Sequence, residues 1–296
     1  MDERIQLMKS GSGFIAALDQ SGGSTPKTLE NYGVPPSEYN DNEELMFDLV
    51  HQMRVRIMTN SEFARPHILG AILFEKTMHG QVGDKCGSQY LWQDKSILPF
   101  LKIDVGLEPV LNGVQFMKPI PNLSARLEEA KSLDVFGTKM RSVIKENNAV
   151  AIREIVDQQF EFARSILEHD LIPIVEPEID IHIDEKLQAE EVLRDCLRNS
   201  LDGLQGDETV VFKLTLPEQR NFYHEFTIHP RVLRVAALSG GYSQKESISR
   251  LSDNDEMIAS FSRALTENLQ RDLTEEQFVT QLSQAIQGIS SASASG

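Results

Sequence analysis

Val210-Val211-Phe212-Lys213-Leu214-Thr215-Leu216 is a run of β-branched and apolar residues with a lysine at its centre. Read as an extended strand, it sets Phe212, Leu214 and Leu216 on one face and Val211, Lys213 and Thr215 on the other. Lysines rarely occupy closed interiors, because removing an ammonium from water is costly and the group tends to neutralise instead. A neutral amine is a nucleophile. Apolar runs that end in charge recur along the chain. In Ile172-Pro173-Ile174-Val175-Glu176-Pro177-Glu178 an extended backbone puts both carboxylates on one face. The same parity pairs Lys139 with Arg141 in Phe136-Gly137-Thr138-Lys139-Met140-Arg141-Ser142, and Lys102 with Asp104 in Pro99-Phe100-Leu101-Lys102-Ile103-Asp104. Phe14-Ile15-Ala16-Ala17-Leu18-Asp19 closes on a single aspartate.

Extending this pattern predicts eight strands, at 14–19, 68–74, 99–104, 136–142, 172–178, 210–216, 232–239 and 259–262. Amphipathic helical stretches lie between most of them. The clearest is 152–169, where Ile152, Ile155, Val156, Phe160, Ala163, Ile166 and Leu167 recur at helical spacing. Others fall near 43–58, 123–132, 185–201, 217–227, 243–251 and 275–287. Unbroken alternation of strand and helix implies parallel strands with right-handed crossovers. Eight such units favour an α/β fold of the closed (β/α)8 TIM-barrel type over an open doubly wound sheet. No linker rich in Gly, Ser or Pro interrupts the chain, so a single domain is expected over 1–287. Gly288-Ile289-Ser290-Ser291-Ala292-Ser293-Ala294-Ser295-Gly296 reads as a mobile tail, and 20–42 as a long loop carrying Ser21-Gly22-Gly23-Ser24.

A chain of 296 residues with 40% hydrophobic content can bury a substantial core. Its net charge of −16 argues against nucleic acid as the main partner and is read as a solvated surface. An anionic ligand would therefore have to be met by locally gathered cations. Cys86 and Cys196 are too few for a disulfide framework, neither lies in a Cys-x-x-C pair, and no apolar leader or membrane-length stretch follows Met1. A cytoplasmic protein with no membrane partner is expected, both cysteines acting as small buried hydrophobes. A homo-oligomer is compatible with the sequence, which carries no signal for or against one.

In a barrel of this kind the strands' carboxyl ends face the site, so Asp19, Lys102, Lys139, Arg141, Glu176, Glu178 and Lys213 are expected to converge. Strand seven runs into Ser239-Gly240-Gly241 and strand eight into Ser262-Arg263. Glycines let backbone N–H groups approach an anion closely, and phosphate sites in such barrels commonly form after strands seven and eight.

These residues resemble the class I, Schiff-base fructose-1,6-bisphosphate aldolases, particularly the bacterial branch. The resemblance runs through Ala16-Ala17-Leu18-Asp19-Gln20-Ser21, Ile72-Leu73-Phe74, Gly137-Thr138-Lys139-Met140-Arg141, Val175-Glu176-Pro177-Glu178, Leu238-Ser239-Gly240-Gly241 and the segment from Asp255 to Leu265. It implies that Lys213 forms the imine with the substrate ketone, that Glu176 is the general acid/base with Glu178 supporting it, and that Lys139 and Asp19 line the reacting centre. It further implies one phosphate held by Lys102, Ser21 and Ser24 with Lys27 and Arg141 nearby, and another held by Ser239, Gly240, Gly241 and Arg263. The implied reaction is reversible cleavage of fructose 1,6-bisphosphate without metal or organic cofactor, the partners being sugar phosphates. Many animal members carry an acidic residue where Gln20 stands and a glycine where Ser262 stands, and they end in a tyrosine that this chain lacks.

The chemistry requires these residue types. Breaking the carbon–carbon bond leaves negative charge beside a carbonyl, and a protonated imine absorbs it better than a ketone does. Burial and neighbouring cations both favour the neutral amine that must attack. A carboxylate is then needed to shuttle protons, and Glu176 beside Glu178 is expected to be tuned as one of a pair. The competing metal-dependent mechanism needs a histidine cluster. His51, His67, His79, His169, His182, His224 and His229 are scattered, and only His182 lies near a site strand. Two alternatives stay open: a Schiff-base aldolase for another sugar phosphate, such as tagatose bisphosphate or fructose 1-phosphate, and a phosphosugar-binding or scaffolding protein that does not turn over.

Overall fold

Each apolar run becomes a strand, and each strand carries its alternation into two separate packing layers. In the computed structural model, which describes residues 2–295, the barrel strands are β1 (Phe14–Leu18), β2 (Ile68–Leu73), β3 (Leu98–Lys102), β4 (Gly137–Ile144), β5 (Ile172–Ile179), β6 (Val210–Thr215), β7 (Val232–Leu238) and β8 (Met257–Ala259). They pair in chain order, all parallel. β8 touches β1 without a hydrogen-bonded ladder among the described residues, so the barrel is nearly closed and has one seam. The longer helices are α1 (Asp2–Ser10), α2 (Thr25–Asn31), α3 (Glu43–Thr59), α4 (Gly87–Gln93), α5 (Leu123–Ser132), α6 (Ala149–Leu167), α7 (Lys186–Leu201), α8 (Gln244–Ser252) and α9 (Glu275–Ser295).

One strand face packs on the helices. Phe14, Ala16, Met140, Val175, Phe212 and Leu214 share a core with Ile152, Ile155, Val156 and Phe160 of α6. Burying each large side chain of that stripe is worth about 1.5–3 kcal/mol. Asn148 starts α6 where the stripe begins, its side chain accepting from the Val150 and Ala151 N–H groups, worth about 1 kcal/mol. The other strand face forms a second, smaller cluster of Ile15, Ile72, Phe100, Ile174, Val211, Ala236 and Ile258 along the barrel axis. Two residues further along four of these strands, the same face turns polar: Phe100 gives way to Lys102, Ile174 to Glu176, Val211 to Lys213 and Ile258 to Ser260. The barrel is thus oily in its lower half and charged in its upper half. Below, α1 stoppers the barrel, with Arg234 of β7 donating to the carbonyls of Met8 and Gly11.

Several expectations change. Strand eight is shifted toward its start, ending at Ala259 instead of Ser262, because its ladder to β7 runs only from Met257 to Ala259. The helix expected over 217–227 shrinks to His224–Thr227. The Glu218 N–H is taken by Glu190 Oε2, and Asn221 adopts a left-handed φ of 58°, held by Asn254 and Asp255. The loop over 20–42 contains α2, which Pro26 helps to start, and short turns of 3₁₀ helix at Gly22–Ser24 and Pro36–Glu38.

The tail expected to be mobile over 288–296 is instead the last part of α9, apart from Gly296, which lies outside the described residues. Ile289, Ala292 and Ser293 fall on one helical face and are buried, and Ser293 Oγ accepts the Ala259 N–H of β8 at 2.9 Å. Small residues allow this close approach. Ile289→Ala is accordingly expected to lower the unfolding free energy by about 2–5 kcal/mol, and a chain ending at Gly288 to melt lower still. Thermal and urea denaturation check both, and an unchanged midpoint in the shortened chain would show that the segment adds nothing.

Candidate active site

The polar upper half of the barrel opens into a cleft of about 730 Å³ at the carboxyl ends of the strands. All the residues singled out from the sequence line it: Asp19, Ser21, Ser24 and Lys27 near β1, Lys102 on β3, Lys139 and Arg141 on β4, Glu176 and Glu178 on β5, Lys213 on β6, then Ser239, Gly240, Gly241 and Arg263.

Charges alternate across its floor. Glu176 Oε1 lies 3.0 Å from Lys213 Nζ, and Glu176 Oε2 lies 3.2 Å from Lys139 Nζ but outside hydrogen-bond geometry. Lys139 Nζ in turn meets Asp19 Oδ2 at 2.6 Å and lies 3.9 Å from Asp104 Oδ2, while Asp104 Oδ1 takes Lys102 Nζ at 2.5 Å. Glu176 and Lys139 are each 3% exposed and Lys213 5%, so water screens these contacts weakly. Burial alone would raise the Asp19 carboxyl, but Lys139, Lys213 and Lys102 outweigh it and hold that carboxyl well below the usual carboxylate range. Burial alone would lower Lys139, but Asp19, Glu176 and Asp104 hold it well above the ordinary lysine value. Lys139 is therefore a fixed cation. The pairing expected between Glu176 and Glu178 is not formed: Arg141 Nε engages Glu178 Oε2 at 2.5 Å, leaving Glu176 to the two lysines.

Neighbouring elements fix this geometry. Gln159 of α6 accepts the Glu176 N–H at 2.9 Å and donates to Ser142 Oγ of β4. Thr215 Oγ1, two residues beyond Lys213, accepts from the Ile179 N–H at 2.9 Å and donates to the Ile179 carbonyl at 3.0 Å, clamping β5 to β6. At the rim, Ser24 Oγ accepts the Ser21 N–H and donates to the Ser21 carbonyl, and Lys27 is exposed beside Glu30 at 2.9 Å. Gly240 and Gly241 adopt φ of 60° and 118°, and a Cβ on Gly240 would stand 2.8 Å from Ile181 Cγ2, so this turn requires glycine. Arg263 is exposed at the mouth.

Three supporting residues were not assigned a role from the sequence. Asp104 was visible only as the strand partner of Lys102. Gln159 and Arg54 each interrupt an apolar helical stripe, one between Ile155 and Phe160 and the other between Val50 and Ile57, and both are fully buried. A polar residue on a buried stripe was the signal. Among the described residues no three His, Cys, Asp or Glu side chains are grouped to hold a metal, and no helix is long and apolar enough to cross a membrane.

A buried lysine bridged by a carboxylate to a second buried lysine thus lies at the carboxyl ends of the strands of a (β/α)8 barrel, the end at which barrel enzymes carry their sites. Residues 2–217 match the family described as fructose-bisphosphate aldolase class-I. The chain is 53% identical over 291 residues to fructose-bisphosphate aldolase class 1 of Synechocystis sp., covering 98% of this chain and 97% of that protein. It is 50% identical over 291 residues to the protein of the same name from Porphyromonas gingivalis, with 98% of each covered. The fold is shared with the fructose-bisphosphate aldolase from Plasmodium falciparum solved with TRAP and a small-molecule inhibitor, at a TM-score of 0.76 and 20% identity over 99% of this chain and 93% of that one. The chain belongs to the class I fructose-bisphosphate aldolases, carbon–carbon lyases that reversibly cleave fructose 1,6-bisphosphate to dihydroxyacetone phosphate and glyceraldehyde 3-phosphate.

The depressed Asp19 carboxyl has a consequence for stability. Its contribution is fully present above the unfolded value near ~3.9 and is lost as pH falls toward the lower folded value. The stability difference between wild type and Asp19→Asn should therefore be constant from pH 7 to 5 and shrink below pH ~4. Urea denaturation of both proteins across that range checks it; a difference independent of pH would mean that Asp19 is not held charged by its lysines.

Proposed function

We propose that Lys213 is the imine-forming residue and Glu176 the proton carrier of the cleavage. The observation that carries this reading is the bridge of Glu176 between Lys213 Nζ at 3.0 Å and Lys139 Nζ at 3.2 Å. The amine of Lys213 adds to the ketone carbon of the bisphosphate, and the carbinolamine loses water with a proton supplied by Glu176. Glu176, then a carboxylate, takes the proton of the hydroxyl on the carbon beyond the bond to be broken. That carbon becomes the aldehyde of glyceraldehyde 3-phosphate, and the electron pair of the broken bond passes into the protonated imine, giving an enamine. Glu176 returns that proton to the enamine carbon, which regenerates the protonated imine. Addition of water then releases dihydroxyacetone phosphate and returns the amine of Lys213.

Lys139 stays charged through these steps and steadies the oxygen that gains negative charge. Asp19 and Asp104 keep Lys139 in place, and Glu178 is oriented by Arg141 as the outer carboxylate. Two groups of cleft residues take the two phosphates, one at Ser21, Ser24 and Lys102 with Lys27 and Arg141 nearby, the other at Ser239, Gly240, Gly241 and Arg263. We read the barrel and α9 as one catalytic domain working in the cytoplasm on soluble sugar phosphates.

Borohydride reduction in the presence of dihydroxyacetone phosphate should leave a stable adduct on the peptide carrying Lys213, and Lys213→Met should abolish it. Glu176→Gln should lower kcat by ~10²–10⁴-fold, and a chelator should leave wild-type activity intact. An adduct mapped to Lys139, or chelator-sensitive cleavage without any adduct, would overturn the assignment.

A further inference from the structure

α3 carries an arginine where its apolar stripe should continue. Val50, Met53, Ile57 and Met58 are buried along that face, and Arg54 lies among them at 0% exposure. Nη1 donates to Thr77 Oγ1 at 2.8 Å, and Nη2 donates to the Gln20 carbonyl and, at 3.2 Å, to Gln20 Oε1. Gln20 Nε2 then donates to Ser262 Oγ. One side chain thus joins the segments that follow β1, β2 and β8, and the Gln20–Ser262 contact crosses the seam that no backbone ladder closes.

Every hydrogen-bond partner of Arg54 is neutral, and its Nε has none. The acid that acts on it through space, Asp19, is already paired with Lys139. A buried charge without a counter-ion is costly, so its presence calls for an anion close by. Gln20 and Ser262, which Arg54 holds directly and through Gln20, line the cleft beside Ser21, Ser24 and Arg263.

We propose that Arg54 is the positioning residue of the phosphate rim: it locks Gln20 to Ser262 across the seam, and its unneutralised charge strengthens the field in which a substrate phosphate binds. This deepens the reading above, since it rests on Ser21, Ser24 and Arg263 being phosphate contacts. A clasp of purely mechanical purpose would need no charge, and a glutamate at position 20 would serve it equally well.

The deciding variant is therefore Gln20→Glu, which keeps an oxygen facing Arg54 and lets the Ser262 hydroxyl become the donor, but cancels the free charge. Its KM for fructose 1,6-bisphosphate should rise about tenfold with kcat within about twofold, the pattern of lost uniform binding. The inhibition constant of inorganic phosphate should weaken in parallel. Arg54→Met should show the same loss of phosphate affinity together with a lower melting temperature, and Arg54→Lys should recover part of the affinity. Unchanged KM and phosphate inhibition in Gln20→Glu would overturn the proposal, and they decide it even where Arg54→Met does not fold. Adduct formation on Lys213 in the wild type is scored separately: its absence counts against the imine reading and leaves the phosphate comparison to decide this one.

Discussion

The carboxylate of Glu176, held between two buried amines, is the constraint on which the rest of the molecule depends. Each charge moved into the barrel loses its hydration, at an effective cost of several kcal/mol, and the mutual attractions recover that cost only where geometry is good and every member has a partner. The floor of the cleft approaches this condition by alternation, from Lys213 to Glu176, Lys139, Asp19 and Asp104, then Lys102, with Glu176 Oε2 and Asp104 Oδ2 held by charge attraction without a hydrogen bond. Such a network adds little net stability. It survives because the lower barrel and the helix layer, mostly apolar, supply the burial that the upper barrel cannot.

The same arrangement resolves an apparent conflict in the composition. A chain of net charge −16 should repel a bisphosphate, yet at physiological ionic strength surface charges act over only about 8 Å. A substrate at the mouth therefore meets the local field. Lys27, Arg141 and Arg263 stand toward the rim, Lys102, Lys139 and Lys213 lie below, and Arg54 is buried behind the wall. The low dielectric of the barrel strengthens the inner cations, while water screens the acidic exterior.

Much of this was legible because a strand's period of two is robust. Once Val211 and Lys213, or Ile174 and Glu176, share a face, any parallel barrel must bring the charges to the same end. What periodicity cannot carry is the identity of each charge's partner. Glu178 lies on the same face as Glu176 but is drawn to Arg141, because β4 and β5 pair Arg141 with Glu176 and leave its long side chain free to reach two register positions onward. Gln159 and Arg54 were obscured for another reason: a helical stripe reads as apolar by majority, and one polar member looks like noise until its hydrogen bonds are known. The tail misled through composition. Alternating Ser and Ala resembles a linker, whereas at helical spacing the same small residues let a helix lie close against strands.

That close approach explains how a barrel can end in a strand of three residues. β8 has no backbone ladder to β1, so its outward N–H groups need another acceptor, and a buried N–H left unpaired is costly. α9 runs against both β8 and β1 and supplies one: Ser293 Oγ takes the Ala259 N–H while donating to the Ile289 carbonyl of its own helix. Above it, Gln20 and Ser262 join the two sides through side chains held by Arg54. The seam is therefore closed by a helix at the level of the strand and by a polar clasp at the level of the cleft. A backbone ladder would fix β8 rigidly up to the rim. Ending the strand at Ala259 instead frees Ser260, Ser262 and Arg263 to turn into the cleft, while the helix gives the Ala259 N–H its acceptor and the clasp ties the two sides through side chains.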